Sequence, residues 1–364
     1  MEIGIVGLPR SGKTTVFNAL TRGRADTGAY TSSGPNVAVV KVPDPRLDGL
    51  EQMFHPKKKT PPEVRYVDIG IAPKGFGKTE GLGGEFFTHM SQSDALLHVV
   101  RVFRNDAVPH IQESIDPARD IDALNVELVF SDLAVLEKRL QRLETSIRSS
   151  KPHEREALTR EQALLARIKE ALEADVPIRD LEVAEDEWKL ISGFQFLTAK
   201  PLLLVANIGE EDLPRARSIE QEWRDRYGNP HVHVAALCGE LEMELSQLED
   251  EDAEAFRTSM GVEEAALDRM ITVSYGLLGL ISFFTFVSEE VRAWSIPKDS
   301  TALKAAGKIH SDMERGFIRA EVIGYDNLME CGGLPEAKKR GMVHVEGKNY
   351  VVRDGDVITF LFNV

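Results

Sequence analysis

Nine residues near the start of the chain, Gly7-Leu8-Pro9-Arg10-Ser11-Gly12-Lys13-Thr14-Thr15, carry the spacing G-x-x-x-x-G-K-T. Two glycines at this separation let backbone N–H groups turn inward toward an anion with no Cβ in the way. Lys13 brings a positive charge to the β- and γ-phosphates, and the Thr14 hydroxyl is a ligand for Mg²⁺. Arg10, Ser11, Gly12, Lys13, Thr14 and Thr15 form the candidate cradle, and the chemistry they suit is the binding of a nucleoside triphosphate. Such a loop works only between a strand and a helix. The apolar run Ile3, Ile5, Val6 precedes it, and Thr14–Leu20, with Val16, Phe17 and Leu20 inward, follows it.

The remaining elements must hold that loop. Val37–Val40, Arg65–Ile69, Ala95–Val102, Pro201–Ala206 and His231–Ala235 read as strands with helical patterns between them, which is a parallel, doubly wound α/β sheet. ALLHVVRV is nearly continuously apolar, as a strand covered on both faces would be. His98 within it reads as a hydrogen-bonded core residue. From Ser131 the pattern turns helical, with Leu133, Leu136, Leu140, Leu143 and Ile147 three and four apart. Ser149, Ser150 and Pro152 break it, and Leu158, Leu164, Leu165, Ile168 and Leu172 resume it, so an antiparallel coiled-coil hairpin is expected. Arg148, Lys151, His153, Arg155 and Arg160 cluster around its tip beside Glu154 and Glu156. This cluster is either a solvated face or a nucleic-acid contact.

Beyond Ser282, Phe283–Val287, Val291–Ile296, Gly316–Ile323, Tyr350–Val352 and Val357–Phe362 alternate like strands. Thr301–His310 and Pro335–Arg340 read as short helices. The domain partition expected is a nucleotide domain of residues 1–130 and 191–280, a hairpin at 131–190 and a small α+β domain at 281–364. Of 364 residues, 44 are basic and 59 acidic, a net charge of −15. That balance argues against attraction of nucleic acid over the whole surface, and no recognition of DNA sequence is expected. No apolar run approaches the ~20 residues of a membrane span. Two distant cysteines suggest neither a disulfide framework nor a metal cluster. With no leader pattern at the N-terminus, a cytoplasmic location is expected.

Longer stretches carry a family resemblance: GIVGLP at the start, PNVAVVKVPDPRLD from Pro35, EGLGGEFF from Glu80, SDALLHVVRVF from Ser93, DPARDIDALNVEL from Asp116, and the ending DGDVITFLFNV. Over essentially its full length the sequence resembles the Obg-like ATPases, called YchF in bacteria, of the TRAFAC class. The resemblance implies a Ras-like P-loop domain with a coiled-coil insertion and a C-terminal TGS domain of ubiquitin-like fold. It also implies ATP in preference to GTP, slow hydrolysis with Mg²⁺, and a ribosome or RNA partner. Where GTPases read N-K-x-D, this chain has Asn207-Ile208-Gly209-Glu210, and Asn207, Ile208 and Glu210 are the candidate base contacts. Glu is one methylene longer than Asp, which disfavours the guanine pairing.

Aligned on the family, Ser32 takes the place of the switch I Thr as a metal ligand. Asp68, at a strand end, is the carboxylate that holds Mg²⁺ through water. His110 matches a loop histidine considered as the family's catalytic group, and its other reading is a plain exposed loop residue. Arg10 stands where potassium-using relatives have Asn. A guanidinium cannot coordinate a cation, so a potassium requirement is doubtful. Arg10 either stabilises charge in the transition state, as an arginine finger does, or turns out to solvent. In Asp68-Ile69-Gly70-Ile71, Ile71 stands where D-x-x-G has its glycine. That departure supports an alternative function, a nucleotide-sensing binding protein with little or no hydrolysis.

Overall fold

The computed structural model describes residues 1–21, 36–69, 84–260, 265–287 and 289–363. Its strands, in chain order, are β1 (Glu2–Val6), β2 (Asn36–Lys41), β3 (Lys58–Thr60), β4 (Glu63–Asp68), β5 (Ala95–Arg101), β6 (Leu202–Asn207), β7 (Val232–Leu237), β8 (Leu280–Val287), β9 (Glu290–Pro297), β10 (Phe317–Gly324), β11 (His344–Glu346) and β12 (Asp356–Phe362). The chain divides into two compact units, one of residues 1–38 and 65–270, the other of residues 39–64 and 271–364.

The first unit is built on a parallel sheet whose strands run in the order β4-β1-β5-β6-β7. Every residue of β5 and β6 is buried, as expected of strands with both faces covered. This arrangement brings the C-terminal ends of β1, β5 and β6 side by side, where the loops that follow them meet.

The hairpin is rooted in the same unit. Its first helix spans Pro117–Ser149, starting well before Ser131 where the leucine repeat begins. Asp116 caps it, accepting from Arg119 N, and Pro117 occupies the first turn. Those start signals lie upstream of the apolar repeat, so periodicity alone places the helix start too late. The second helix, Pro152–Glu173, packs on the first through Leu136, Leu143, Leu164, Leu165 and Ile168, and Arg139 makes a bidentate pair with Glu161 at 2.7 Å. At the base, the fully buried Asp132 accepts from Leu197 N, Thr198 N and Thr198 Oγ1 at 2.6–2.8 Å.

The second unit is a mixed sheet of order β11-β10-β12-β8-β9-β3. Neighbouring residues of one strand serve opposite faces, as the pleat requires. Phe283, Val322 and Ile358 enter one core with Ala302, Ala305 and Ala306, while Phe284, Ile323 and Val357 enter another with Leu328. Residues 39–64, expected in the nucleotide domain, belong to this second unit. Leu47 and Leu50 of the helix Pro45–Phe54 are buried in the Phe284 core, and β3 pairs in parallel with β9. Arg46 adds a two-bond contact to Asp354 at 2.7 and 3.3 Å. The Tyr350–Val352 strand is reduced to a single bridge between Thr301 and Val351. Among the described residues no helix is long and apolar enough to cross a membrane.

Candidate functional site

Two glycines shape the loop between β1 and the helix Lys13–Leu20. Gly7 has φ +149°, and a Cβ there would lie 2.4 Å from Val99 O. Gly12 has φ +90°, and a Cβ would come within 2.1 Å of Asn207 Nδ2. Neither position tolerates a side chain without movement of its neighbours. Gly12 is also the N-cap and offers no side chain to the helix, so the first amides remain available to an anion.

Lys13 is buried, and its Nζ donates to Gly7 O at 2.8 Å and Leu8 O at 2.9 Å. Burial pushes it down to about 8, and Asp68 offsets part of that shift. A desolvated ammonium held only by carbonyls is a strong partner for an incoming phosphate.

Asp68 ends β4 and is 6% exposed, with Oδ2 3.5 Å from Thr14 Oγ1. Burial moves its carboxyl above the usual range, while Lys13 and the Thr14 hydroxyl draw it back. Asp68 Oδ1 and Ser11 Oγ are buried without a hydrogen-bond partner among the described residues. A hydroxyl beside a carboxylate with an unused oxygen is an all-oxygen donor set, and it fits Mg²⁺. Ser32, Gly70 and Ile71 lie outside the described residues.

At the other end of the loop, Asn207 is 3% exposed and its side chain is bonded within the protein. Nδ2 donates to Ser11 O at 3.0 Å, and Oδ1 accepts from Gly239 N at 2.9 Å. Of the three candidate base contacts, Asn207 therefore braces two loops, Ile208 is buried, and Glu210 is exposed at the start of the 3₁₀ turn Glu210–Arg215. His98, paired with Val6 across β1 and β5, is 1% exposed, but neither ring nitrogen has a partner among the described residues. The expected hydrogen bond is absent, and burial together with nearby Lys13 pushes the imidazole down to about 3.

His110 is not a plain exposed residue. It is 8% exposed and its Nε2 lies 2.8 Å from Asp120 Oδ2, while Nδ1 accepts from Gln112 N at 3.1 Å. Arg10 is exposed with φ +66°, and its Nη1 donates to Pro109 O at 2.9 Å. It is thus neither turned away from the protein nor free. Two neighbours escaped sequence reasoning. Arg101, a cation closing an otherwise apolar strand, was a visible signal; Asp120, one acid among several in a helix start, was not.

Comparison with known proteins decides the family. Residues 2–132 match the family model described as "50S ribosome-binding GTPase", and residues 280–363 match the YchF C-terminal model, described as "Protein of unknown function (DUF933)". The "Ribosome-binding ATPase YchF" of Bacillus subtilis is 42% identical over 368 residues, covering 100% of both chains. That of Escherichia coli O157:H7 is 39% identical over 365 residues, covering 100% of this chain and 99% of its own. The chain belongs to the YchF family. A solved "Structure of the Schizosaccharomyces pombe YchF GTPase" aligns with TM-score 0.86 at 30% identity, covering 99% of this chain and 97% of that one. The YchF C-terminal match begins at Leu280, the first residue of β8, although the compact second unit also takes in residues 39–64.

Proposed function

We propose that this chain is a nucleotide-dependent switch that binds ATP with Mg²⁺, GTP more weakly, and hydrolyses ATP slowly. The observation that carries the reading is the desolvated Lys13, bonded to two loop carbonyls, next in sequence to Thr14, whose hydroxyl meets the Asp68 carboxylate with its one unused oxygen. A polyanion would exchange those carbonyl contacts for charge-assisted ones. Thr14 and Asp68 would hold Mg²⁺, which when bound neutralises charge on the β- and γ-phosphates. Lys13 orients the phosphates, and the amides of the loop and helix start share their charge. The relatives are named for ribosome binding, and docking on the ribosome or RNA through the hairpin and the C-terminal TGS domain is the corresponding part of this reading. The preference for ATP rests on Asn207-Ile208-Gly209-Glu210, with Asn207 committed to protein bonds and Glu210 in place of the guanine-pairing Asp.

Equilibrium titration with ATP and GTP on one preparation, beside single-turnover hydrolysis, tests this. ATP should bind at least as tightly as GTP. Lys13→Ala should lose roughly ten- to a hundred-fold in ATP affinity, the equivalent of ~1.5–3 kcal/mol for one charge-assisted contact. A wild-type preference for GTP, or normal affinity in the variant, overturns the assignment. Tight binding with no turnover favours instead the nucleotide-sensing reading that Ile71 suggests.

A further inference from the structure

Two arginines join the phosphate loop to the segment that follows β5. Arg101, the last residue of β5, is 2% exposed and its guanidinium lies over the Phe103 ring, 4.3 Å from the centroid. It donates to Phe103 O at 3.2 Å, Asn105 O at 3.3 Å and Arg10 O at 3.4 Å. Arg10 makes the return contact, from its own side chain to Pro109 O at 2.9 Å. Burial and the nearness of Arg10 both lower the Arg101 guanidinium from its ordinary value. The two cations stand close against their mutual repulsion, so it is hydrogen bonding and packing that keep them there. Arg10 also holds a left-handed φ of +66°, uncommon for a residue with a Cβ, and its carbonyl is one of the atoms Arg101 fixes.

The contacts continue past Pro109. Gln112 N donates to His110 Nδ1, so the proton of the neutral ring sits on Nε2 and points to Asp120 Oδ2. Asp120 lies in the first turn of the helix Pro117–Ser149, and its second oxygen accepts from Arg119. Phosphate loop, following segment and hairpin root are therefore connected by side-chain bonds rather than by chain continuity alone.

We propose that Arg10 is a positioning residue: from the phosphate loop it fixes the segment 103–110, and through the His110–Asp120 bond it ties that loop to the first helix of the hairpin. The proposal rests on the reading of the loop as an ATP site for its kinetic consequences only. Arg10 then influences turnover through the segment it orders, unlike an arginine finger, which acts on the phosphate directly.

Amide hydrogen exchange on the nucleotide-free chain gives the direct test. The reporters are Ala107, Val108, Gln112 and Glu113, whose N–H groups are bonded to Asn105 and His110 of the segment. Arg10→Ala should speed their exchange roughly two- to ten-fold, the range for loss of one partly exposed hydrogen bond, and Arg10→Lys should recover part of it. Unchanged exchange in Arg10→Ala overturns the proposal. Single-turnover hydrolysis by Arg10→Ala, Asp120→Ala and the double variant gives the second arm. If both act through one segment, the double variant is slowed less than about two-fold beyond the slower single. Effects that multiply show that Arg10 acts elsewhere, and overturn it too. If the chain does not hydrolyse ATP at all, the proposed function fails while the exchange arm still decides the role of Arg10.

Discussion

Asn207 and Gly239 are joined by a 2.9 Å hydrogen bond from the glycine N–H to the side-chain oxygen, and the same side chain donates to Ser11 O. Both glycines beside it are fitted to its atoms, since a Cβ at Gly12 would come within 2.1 Å of Nδ2 and one at Gly239 within 3.0 Å of Oδ1. Asn207→Ala should therefore leave two buried backbone groups unpaired, at ~1–3 kcal/mol each. The expected outcome is a lower denaturation midpoint together with weaker ATP binding. Unchanged affinity in titration would show that the brace between the two loops is dispensable for the site.

ATP affinity should depend on pH through Lys13. Its folded value of about 8 lies below the ordinary 10.5, so above pH 8 the free protein increasingly carries a neutral amine. Bound phosphates favour the ammonium, and binding must then take up a proton. Affinity should fall as pH rises through 8, approaching about tenfold per pH unit well above it. A titration series from pH 7 to 9.5 that shows constant affinity contradicts this account of the lysine.

His98 makes the opposite demand on the fold. Its folded value of about 3 lies below the ordinary 6.5, so the unfolded chain binds a proton that the folded one refuses between those limits. The contribution of the neutral ring is present in full above pH 6.5 and is lost as pH falls toward 3. At pH 5 the loss is about 2 kcal/mol, from 1.5 pH units at ~1.36 kcal/mol each. His98→Leu should lose that much less stability than wild type between pH 7 and 5 in urea denaturation. Equal losses in the two proteins would mean that the buried ring is protonated or hydrated after all.

Several basic side chains on the hairpin and second unit are engaged with acids in the free chain. Arg160 pairs with Asp186, Lys338 with Glu321 at 2.8 Å, and Arg340 with Glu336 at 2.9 Å. These pairs are exposed, hence weak, and can be exchanged for phosphates. Association with ribosomes should weaken with salt. Replacing Lys151 and Arg155 by Gln should make the log–log salt dependence shallower by about 1.4–1.8 if each meets one phosphate. Sedimentation that is insensitive both to salt and to this replacement points to a protein surface as the partner.

The sequence by itself determined what is local. The glycine spacing and Lys13-Thr14 define the phosphate loop, alternation and continuous apolar runs define β1, β5, β6 and β7, and three-four spacing with a Ser-Ser-Lys-Pro break defines the hairpin. These follow from backbone sterics and hydrophobic period, which a short window of residues contains. Only the tertiary structure decided which distant groups meet. Arg10 and Pro109 are 99 residues apart, and Asn207 and Ser11 are 196 apart, and nothing in either segment names its partner. The same holds for Leu47 and Leu50. Their helix carries no sequence signal of which sheet its apolar face would cover. It packs with Phe284, Val291 and Ile323 because burial rewards apolar area without specifying its source. His98 is the sharpest case, for the sequence marks it as buried, and only the surrounding atoms show that its nitrogens have no partner among the described residues.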